Sequence, residues 1–236
     1  MENQFSRTES LIGKDALEKI KKSKVAIFGI GGVGSFVVEG LVRAGVQHFI
    51  LVDHDTISLT NLNRQIHATH TTIGKYKVDV MKERILEINP MASVEISKEF
   101  YMPNSASNIL SKDIDYIIDA IDTVTAKIEL IVQANKLQIP IISAMGTGNK
   151  LDPTKFELED IYKTTVCPLA KVMRKELRNR GIEKLKVLYS KEEPIKNNCE
   201  EQSDSENRKV TPASISFVPS VAGMIIAGEV VKDIIK

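Results

Sequence analysis

The amino-acid sequence predicts an α/β fold: a doubly wound, Rossmann-like, mostly parallel sheet flanked by helices, with a C-terminal crossover loop and extra strands. Short apolar runs, typical of strands buried on both faces, alternate with segments of helical periodicity. The first run ends in a glycine-rich turn that opens a helix, and the second ends in an aspartate about 20 residues later. Strands that alternate with helices form mostly parallel sheets with helices on both faces.

Most of the predicted elements lie in the first two thirds of the chain. Runs rich in Val, Ile and Phe predict the strands, and apolar residues at helical spacing predict the helices. Gly45 stops the second helix, and Asn89-Pro90 closes the third. The predicted strands are 25–28, 49–52, 94–96, 116–118 and 140–144, and the predicted helices are 10–22, 34–44, 75–88 and 125–137.

The last third of the chain has a different composition. A basic amphipathic helix is predicted at 168–180, and residues 190–209, which are charged and free of glycine, are predicted to form a mobile crossover loop. A final strand at 214–218 and a final helix at 220–235 complete the elements. We expect a single domain over residues 1–236, with a core at about 24–150 and a region at about 151–236 that carries the basic helix, the loop and the final strand and helix.

Composition restricts the class of protein. With 236 residues, 42% of them hydrophobic and 27% charged, the chain has the composition of a globular protein. The net charge of +1 excludes a bulk polycation, though not a local basic patch. Two cysteines, Cys167 and Cys199, with no C-x-x-C pair, exclude a four-cysteine zinc site and favour a reducing compartment.

The sequence predicts no membrane segment. The N-terminus lacks the apolar stretch that signal peptides carry. Residues 210–228 are free of charge, but Pro212, Pro219 and several hydroxyl residues favour a buried strand plus a buried helix over a span. We therefore expect a cytoplasmic protein.

A glycine-rich turn after the first strand predicts a nucleotide site. Its G-x-G-x-x-G spacing lets the backbone approach a phosphate, while the helix N-terminus offers free N–H groups to the anion. Asp53, at the end of the next strand, is placed to accept hydrogen bonds from ribose hydroxyls. The motif leaves the nucleotide open, because NAD, FAD and ATP all present a ribose and phosphates. The glycines of this turn are Gly29, Gly31, Gly32 and Gly34.

Charged residues further along the chain favour a metal-bound triphosphate over NAD. Arg64 supplies forked donors for phosphate oxygens, and Lys77 brings a point charge to the same pocket. Asp119 and Asp122 lie where α/β sheets bind ligands, and Asp122 is a candidate Mg²⁺ ligand. Taken alone, each is better explained by a surface ion pair, a solvated charge or a helix cap. Together, at successive strand ends, they indicate a metal–triphosphate site.

These motifs resemble those of the ubiquitin-activating-type adenylyltransferase superfamily, which includes the thiamine and molybdopterin biosynthesis activators. The matching motifs, spread over nearly the whole chain, are Gly-x-Gly-Gly-x-Gly-Ser, Asn61-Leu-x-Arg64-Gln65, Gly-x-x-Lys77 and Asp-Ala-Ile-Asp122. The resemblance implies that ATP adenylates a carboxylate, which turns a poor leaving group into a good one.

The resemblance also implies roles for single residues. Asp53 would hold the ribose, Arg64 and Lys77 the phosphates, and Asp122 the Mg²⁺. Gln65 would help to order the pocket. The turn glycines and the motif residues Asn61 and Asp119 complete the implied cofactor-binding set.

The N-terminal segment bears on the oligomeric state. Arg7, in Phe5-Ser6-Arg7, looks like the family's N-terminal arginine, which reaches into the partner subunit's site, and the resemblance therefore implies a homodimer. From the sequence alone, a disordered terminal arginine explains Arg7 equally well.

The basic helix is a candidate RNA-binding face. Its cations fall on one side at helical spacing, and the lysines that follow extend the positive run. Charge alone leaves RNA binding even with a solvated face that the acids of 192–206 neutralise. Tyr162 and Tyr189 flank the helix and could stack on a base, although a structural tyrosine is the better interpretation of each. The cations are Lys171, Arg174, Lys175 and Arg178, extended by Lys184, Lys186 and Lys191; the residues expected largely opposite are Leu169, Val172, Met173 and Leu177.

Within the superfamily, the pattern resembles the tRNA threonylcarbamoyladenosine dehydratase subgroup. The similarity is clearest in Phe-Ser-Arg-Thr-Glu-x-Leu-Ile-Gly, Asn-Arg-Gln-Ile-His67, Asp-Ala-Ile-Asp and Pro-Leu-Ala-Lys. It implies that the carboxylate belongs to a modified adenosine beside the tRNA anticodon, and that its activation allows an internal nucleophile to close a ring. It leaves open whether a cysteine-desulfurase sulfur-relay partner docks.

Three other functions compete with this interpretation. The first is activation of a small sulfur-carrier or ubiquitin-like protein with Cys199 as acceptor. The second is a nicotinamide oxidoreductase, which the combination of Arg64, Lys77 and Asp122 disfavours. The third is a non-catalytic tRNA-binding module that retains a nucleotide.

Overall fold

A computed structural model describes residues 2–101, 109–196 and 212–236, in which seven strands form one sheet. The strand order is β3-β2-β1-β4-β5-β7-β6, and every neighbouring pair is parallel except β6 with β7. The predicted doubly wound, mostly parallel fold is confirmed. The strands are β1 (Lys24–Phe28), β2 (His48–Val52), β3 (Ser93–Ser97), β4 (Tyr116–Asp119), β5 (Ile141–Ala144), β6 (Phe156–Asp160) and β7 (Lys186–Ser190).

Helices cover both faces of the sheet. Along β1, Val25 and Ile27 belong to one apolar core with α3, α4 and α7, whereas Ala26 and Phe28 belong to another with α5. A third core joins α5 and α6 to β7. The helices are α1 (Ser6–Ile12), α2 (Lys14–Lys22), α3 (Gly34–Ala44), α4 (Lys77–Ile88), α5 (Val124–Leu137), α6 (Pro168–Arg178) and α7 (Phe217–Ile235).

The structure corrects the predicted C-terminal elements. The strand predicted at 214–218 is wrong, because α7 already begins at Phe217 and Pro219 lies in its first turn, where proline is tolerated. Both β6 and β7, which the sequence analysis missed, extend the sheet beyond β5. The region after residue 150 thus shares the sheet with the core, and we propose that the chain forms a single domain.

Two further differences concern the first predicted helix and the predicted mobile loop. The helix predicted at 10–22 is two helices, because Gly13 adopts a φ of 87° between them. At the start of the predicted mobile loop, the buried Glu192 accepts hydrogen bonds from the N–H groups of Leu151 and Asp152 at 2.8 and 2.9 Å. These first loop residues are therefore held against the core. Residues 197–209 of the predicted loop lie outside the described residues.

None of the helices in the described part of the chain combines the length and the apolar character that crossing a bilayer requires.

Candidate functional site

A cleft of about 520 Å³ opens at the carboxyl ends of β1, β2, β4 and β5. This edge is where parallel α/β sheets bind their ligands. A larger cleft of about 920 Å³ lies at the opposite ends of the strands, beside Tyr116, Lys186 and Asp233, but it contains none of the residues predicted to bind the nucleotide. Nine of the predicted residues line the cleft at the carboxyl ends: Gly29, Gly31, Gly32, Asp53, Asn61, Arg64, Gln65, Lys77 and Asp122.

Two glycines shape the turn between β1 and α3. Gly29 has a φ of 88°, and a Cβ at this position would lie 2.6 Å from the carbonyl oxygen of Ala120. A Cβ at Gly34 would lie 1.8 Å from the carbonyl oxygen of Gly29. Gly34 is buried and does not line the cleft, so it lets the helix start pack against the turn rather than contacting a ligand. Gly31 and Gly32 present their backbone to the cleft.

The carboxylate of Asp53 joins the end of β2 to the glycine-rich turn. Its Oδ2 accepts from the N–H of Ile30 at 2.6 Å, and its Oδ1 accepts from the N–H of Asp55 at 2.9 Å. The buried Lys77 places its Nζ 2.6 Å from Asp55 Oδ2 and 3.9 Å from Asp53 Oδ2. Asp53, His54 and Asp55 come within metal-binding reach of one another, but Lys77 already supplies a cation to this cluster.

Arg64 lies on the loop after the short helix Leu59–Asn61. Its Nη1 donates to the carbonyl oxygen of Thr60 at 3.0 Å and to Oδ1 of Asn63 at 2.8 Å. Its side-chain stem contacts the glycine-rich turn, where a Cβ at Gly32 would lie 3.3 Å from Arg64 Cγ. In the described chain no carboxylate forms an ion pair with Arg64, so the guanidinium charge faces the cleft uncompensated.

Two buried side chains next to Arg64 have unsatisfied polar atoms. Gln65 lines the cleft, and its Oε1 has no hydrogen-bond partner. Nε2 of His67 pairs with the carbonyl oxygen of Ile30 at 2.8 Å, whereas its Nδ1 has no partner. Burial lowers the pKa of the His67 imidazole, against the opposing effect of the Ile30 hydrogen bond. Buried unpaired polar atoms call for an explanation, and a bound ligand is one for Gln65.

The two aspartates after β4 occupy different environments. Asp122 is exposed and lines the cleft. Asp119 is fully buried, and its carboxylate accepts from Ser143 Oγ at 2.5 Å and pairs with Lys127 Nζ at 3.0 Å. The structure therefore corrects the prediction that Asp119 contacts the cofactor, because its oxygens are turned into the protein.

Other predicted residues lie away from this cleft. Arg7 is exposed on α1 and does not line the cleft of its own chain. Tyr189 is buried, which removes it as a stacking surface for a base. Tyr162 donates its hydroxyl hydrogen to Ile182, and its ring lies 5.2 Å beneath the Arg178 guanidinium. Cys199 lies outside the described residues.

The basic helix keeps part of its predicted positive face. Lys171, Lys175 and Arg178 are exposed on α6, but Arg174 donates to the backbone carbonyl and hydroxyl of Thr164. Val172, predicted to lie largely opposite the cations, is 47% exposed, whereas Met173 and Leu177 are buried. Further along, Lys186 pairs with Glu229 and Asp233, and Lys191 pairs with Glu157.

The structure also brings residues to the cleft that the sequence analysis missed. The pair Gly146 and Gly148, directly after β5, was a readable signal, since glycines after a strand mark a turn. No local pattern pointed to Pro219 of α7, whose Cβ lies 3.2 Å from the position of a Cβ on Gly32. The remaining missed residues include Glu99, Phe100 and Tyr101 after β3.

Comparison with protein families matches residues 5–236 to the ThiF family. The chain belongs to the ThiF family. This ThiF-family chain is 46% identical to the tRNA threonylcarbamoyladenosine dehydratase of Bacillus subtilis, with 100% of this chain and 96% of the relative covered.

A solved structure of E. coli tRNA N6-threonylcarbamoyladenosine dehydratase in complex with ATP resembles this ThiF-family chain with a TM-score of 0.88 and 30% identity. The similarity covers 98% of this chain and 93% of that chain. The molybdopterin-synthase adenylyltransferase of Haemophilus influenzae is 33% identical, but over only 55% of this chain and 53% of the relative.

Proposed function

We propose that this ThiF-family protein binds ATP and adenylates the carboxylate of threonylcarbamoyladenosine in tRNA, which then cyclises by dehydration. The observation that carries the proposal is the cleft itself. The glycine-rich turn, the uncompensated Arg64 and the exposed Asp122 meet there at the carboxyl ends of parallel strands. The resemblance to the ATP-bound E. coli dehydratase extends over almost the whole of both chains.

We assign each part of the nucleotide to particular residues of the cleft. We assign the phosphates to the turn at Gly31 and Gly32, where the start of α3 offers free N–H groups. Asp53 is assigned to the ribose, because its oxygens retain acceptor capacity beyond the two backbone contacts. Arg64 and Lys77 supply cations to the phosphates. The ammonium of Lys77 has three donors, so its contact with Asp55 leaves others for the ligand.

Two amides complete the assigned pocket. Asn61 is held by its own loop, where its Oδ1 accepts from the N–H of Ser58 at 3.1 Å. Gln65 brings its unpartnered Oε1 to the cleft, which fits a donor on the ligand such as a hydroxyl or an amino group. Both residues therefore fit the role of ordering the pocket.

The end of β4 fits a magnesium ion. The carboxylate of Asp122 is exposed to the cleft, and the contact described for it is a 3.3 Å hydrogen bond from Thr123 Oγ1. One free carboxylate beside phosphate oxygens is a common protein contribution to a magnesium site. When bound, Mg²⁺ would neutralise charge that develops on the departing pyrophosphate.

The proposed reaction has two steps. A carboxylate oxygen of the threonine moiety attacks the α-phosphorus of ATP, and pyrophosphate leaves with the electrons of the broken P–O bond. An internal nucleophile of the same modification then attacks the activated carbonyl carbon. The ring closes, and the former carboxylate oxygen leaves on AMP. Arg64 and Lys77 contribute by holding positive charge where negative charge grows.

We also propose a homodimer in which Arg7 of one subunit acts at the cleft of the other. Its exposure on α1 and its absence from its own cleft support this. The test mixes Arg7→Ala with Asp122→Asn protein under conditions that exchange subunits. Half of the dimers would then carry one intact site, and about a quarter of wild-type activity should return. No recovery after proven exchange would contradict the action of Arg7 in the partner's cleft, and an Arg7→Ala protein that is fully active by itself would place Arg7 outside the reaction.

The tRNA substrate implies a cytoplasmic location, which we propose here. The docking of a sulfur-relay partner stays a prediction.

Activation of a sulfur-carrier protein is less well supported, because the molybdopterin-synthase relative aligns with only about half of this chain. A Cys199→Ala variant distinguishes the two functions. It should keep full turnover if the carboxylate belongs to tRNA, since the internal nucleophile requires no enzyme cysteine.

The deciding experiment is mass analysis of nucleosides after incubation of tRNA with the protein and Mg-ATP. The expected result is the loss of one water from threonylcarbamoyladenosine, with no change when ATP is omitted. Unchanged nucleosides, with a wild-type protein that binds ATP, would overturn the proposed substrate. Failure to bind ATP at millimolar concentration would overturn the adenylation itself.

A further inference from the structure

A fully buried ion pair lies directly behind Asp122. The side chains of Lys127 on α5 and Asp119 at the end of β4 are each 0% exposed, and Nζ lies 3.0 Å from Oδ2. Removing two charges from water carries a large penalty, which only good geometry and further hydrogen bonds offset. The other contacts of this pair therefore indicate what the arrangement holds in place.

Those contacts converge on one short piece of backbone. Asp119 Oδ1 accepts from the N–H of Ile121 at 3.1 Å, and Lys127 Nζ donates to the carbonyl oxygen of Ile121 at 3.0 Å. The second of these groups belongs to the peptide bond that links Ile121 to Asp122. The buried pair thus forms hydrogen bonds with both backbone polar groups of Ile121, the residue that precedes Asp122.

Neighbouring strands fix the pair in turn. Ser143 on β5, itself fully buried, donates to Asp119 Oδ2 at 2.5 Å, so the carboxylate is oriented from a second strand. The backbone of Lys127 is held in the first turn of α5, where its N–H donates to the carbonyl oxygen of Thr123 at 3.0 Å. An apolar pair of similar volume would serve stability as well or better, so these polar contacts point to orientation rather than to packing.

We propose that Lys127, oriented by Asp119 and Ser143, is a positioning residue that fixes the peptide group of Asp122 and so sets the cation-binding geometry of the cleft. The inference rests on the proposed function, because it takes Asp122 to bind the metal that accompanies ATP. It also gives Asp119 a role that differs from ligand contact.

The test compares Lys127→Met with the double variant Asp119→Asn/Lys127→Met. The single variant leaves a buried carboxylate without its counter-ion and is expected to lose stability. The double variant removes both charges and restores folding, while the carbonyl oxygen of Ile121 still lacks its donor. Lys150→Met is the matched control, since Lys150 is also buried and also donates to a backbone carbonyl, that of Glu192.

The first readout is metal binding without turnover. Mn²⁺ is titrated into the protein with a non-hydrolysable ATP analogue, and free Mn²⁺ is followed by electron paramagnetic resonance. The half-saturating Mn²⁺ concentration should rise at least about tenfold in the double variant, which is the usual effect of losing a group that orients a metal ligand, and stay unchanged in Lys150→Met. Unchanged Mn²⁺ binding in a folded double variant would overturn the inference.

The second readout is a cycle with Asp122→Asn, measured as ATP-dependent pyrophosphate release. If Lys127 acts through Asp122, the losses from the folded Asp119→Asn/Lys127→Met variant and from Asp122→Asn do not multiply when these changes are combined. Multiplying losses would show a separate structural role and overturn the inference. A wild-type protein that binds the ATP analogue and Mn²⁺ but releases no pyrophosphate would instead count against the proposed function.

Discussion

Arg64 illustrates a cation that its own loop holds only loosely. Both of its described hydrogen bonds go to uncharged oxygens within four residues, those of Thr60 and Asn63. A guanidinium without a counter-ion beside a glycine-rich turn is ready to form bidentate contacts with phosphate. Its contribution should therefore appear in ATP binding and turnover rather than in folding.

Replacing Arg64 with alanine should weaken ATP binding and lower kcat/KM at least about tenfold, because the phosphate clamp loses a charge. The free energy of unfolding should stay within about 0.5 kcal/mol of the wild-type value. Arg180→Ala is the matched control, since Arg180 also donates to the carbonyl oxygen four residues earlier, that of Glu176. Calorimetric titration with ATP tests both variants, and equal affinities in the two would contradict the assignment.

At the scale of single residues, the sequence predicted most of the residues that line the cleft, but not which of the two aspartates is buried. Arg64, Lys77 and Asp122 all line the cleft. Asp119 does not, because it ends β4 with its side chain turned inward toward Ser143 and Lys127. The motif places both aspartates at one strand end, and only the three-dimensional path of the chain separates a buried carboxylate from an exposed one.

The contact between α3 and α7 is the element-level feature that brings the C-terminal helix to the cleft. Glycines allow the two helices to approach closely. A Cβ on Gly40 would lie 2.7 Å from Ala227 Cβ, and one on Gly223 would lie 2.5 Å from the carbonyl oxygen of Val33. Val33 is the N-cap of α3 and follows Gly32 in the glycine-rich turn, so we expect a change in α7 to alter the turn that we assign to the phosphates.

Alanine substitutions at two glycines of α7 are therefore expected to change the stability of the protein in opposite directions. Gly223→Ala should destabilise the protein by about 1–3 kcal/mol, because the added methyl group overpacks the contact with α3. It should also weaken ATP binding. Gly228→Ala meets nothing within 4 Å and should stabilise the helix by about 0.5–1 kcal/mol. Urea unfolding measures both, and a destabilised Gly228→Ala would refute this account of the helix.

The elements that the sequence predicted well are those with a strong local signal. Strands β1, β2 and β4 are buried on both faces and appear as continuous apolar runs. Strand β6 escaped prediction because its residues are only half-buried at the sheet edge, where a polar composition is allowed. The false strand at 214–218 resulted from β-branched and aromatic residues that in fact open α7, so tertiary packing overrode local propensity there.

At the scale of the whole molecule, a charged cluster joins the end of α7 to the sheet. Asp233 Oδ2 accepts from Lys186 of β7 at 2.5 Å and from the hydroxyl of Tyr116 of β4 at 2.8 Å, and its Oδ1 accepts from Lys236 at 3.0 Å. Burial alone would raise the pKa of Asp233, but these hydrogen bonds outweigh it and lower the pKa from 3.8 to about 2.

This shift predicts how stability depends on pH. A carboxyl whose pKa is lower in the folded state stabilises the protein above its unfolded pKa, and this stabilisation fades as the pH falls from about 4 to about 2. Asp233→Asn should therefore cost about 1–2 kcal/mol at pH 7 and much less near pH 2. Urea unfolding at pH 7, 4 and 2.5 measures the difference. A constant difference across that range would contradict the charge-based explanation.

The surface available to tRNA follows from which cations already have partners. Lys186 and Lys191 are neutralised by acids of the protein, and Arg174 is held by Thr164. Lys171 and Lys175 are exposed on α6 and form no ion pair in the described residues. Among the cations of the predicted RNA-binding run, those without an acidic partner therefore lie mainly on α6, although the whole chain carries a net charge of only +1.

Reversing these two charges should weaken tRNA binding without affecting ATP. In Lys171→Glu/Lys175→Glu, we expect affinity for tRNA to fall at least about tenfold at low salt. The slope of log affinity against log salt should shrink by about 0.7–0.9 for each lysine that contacts a phosphate. The control, Lys112→Glu/Lys136→Glu, makes the same charge change at exposed positions before β4 and at the end of α5. Filter binding over a salt series measures both variants. If α6 contacts the phosphates, reversing its charges must lower the affinity for tRNA more than the same charge change at a distant site. Equal weakening in the control would therefore show that net charge, rather than α6, governs the interaction.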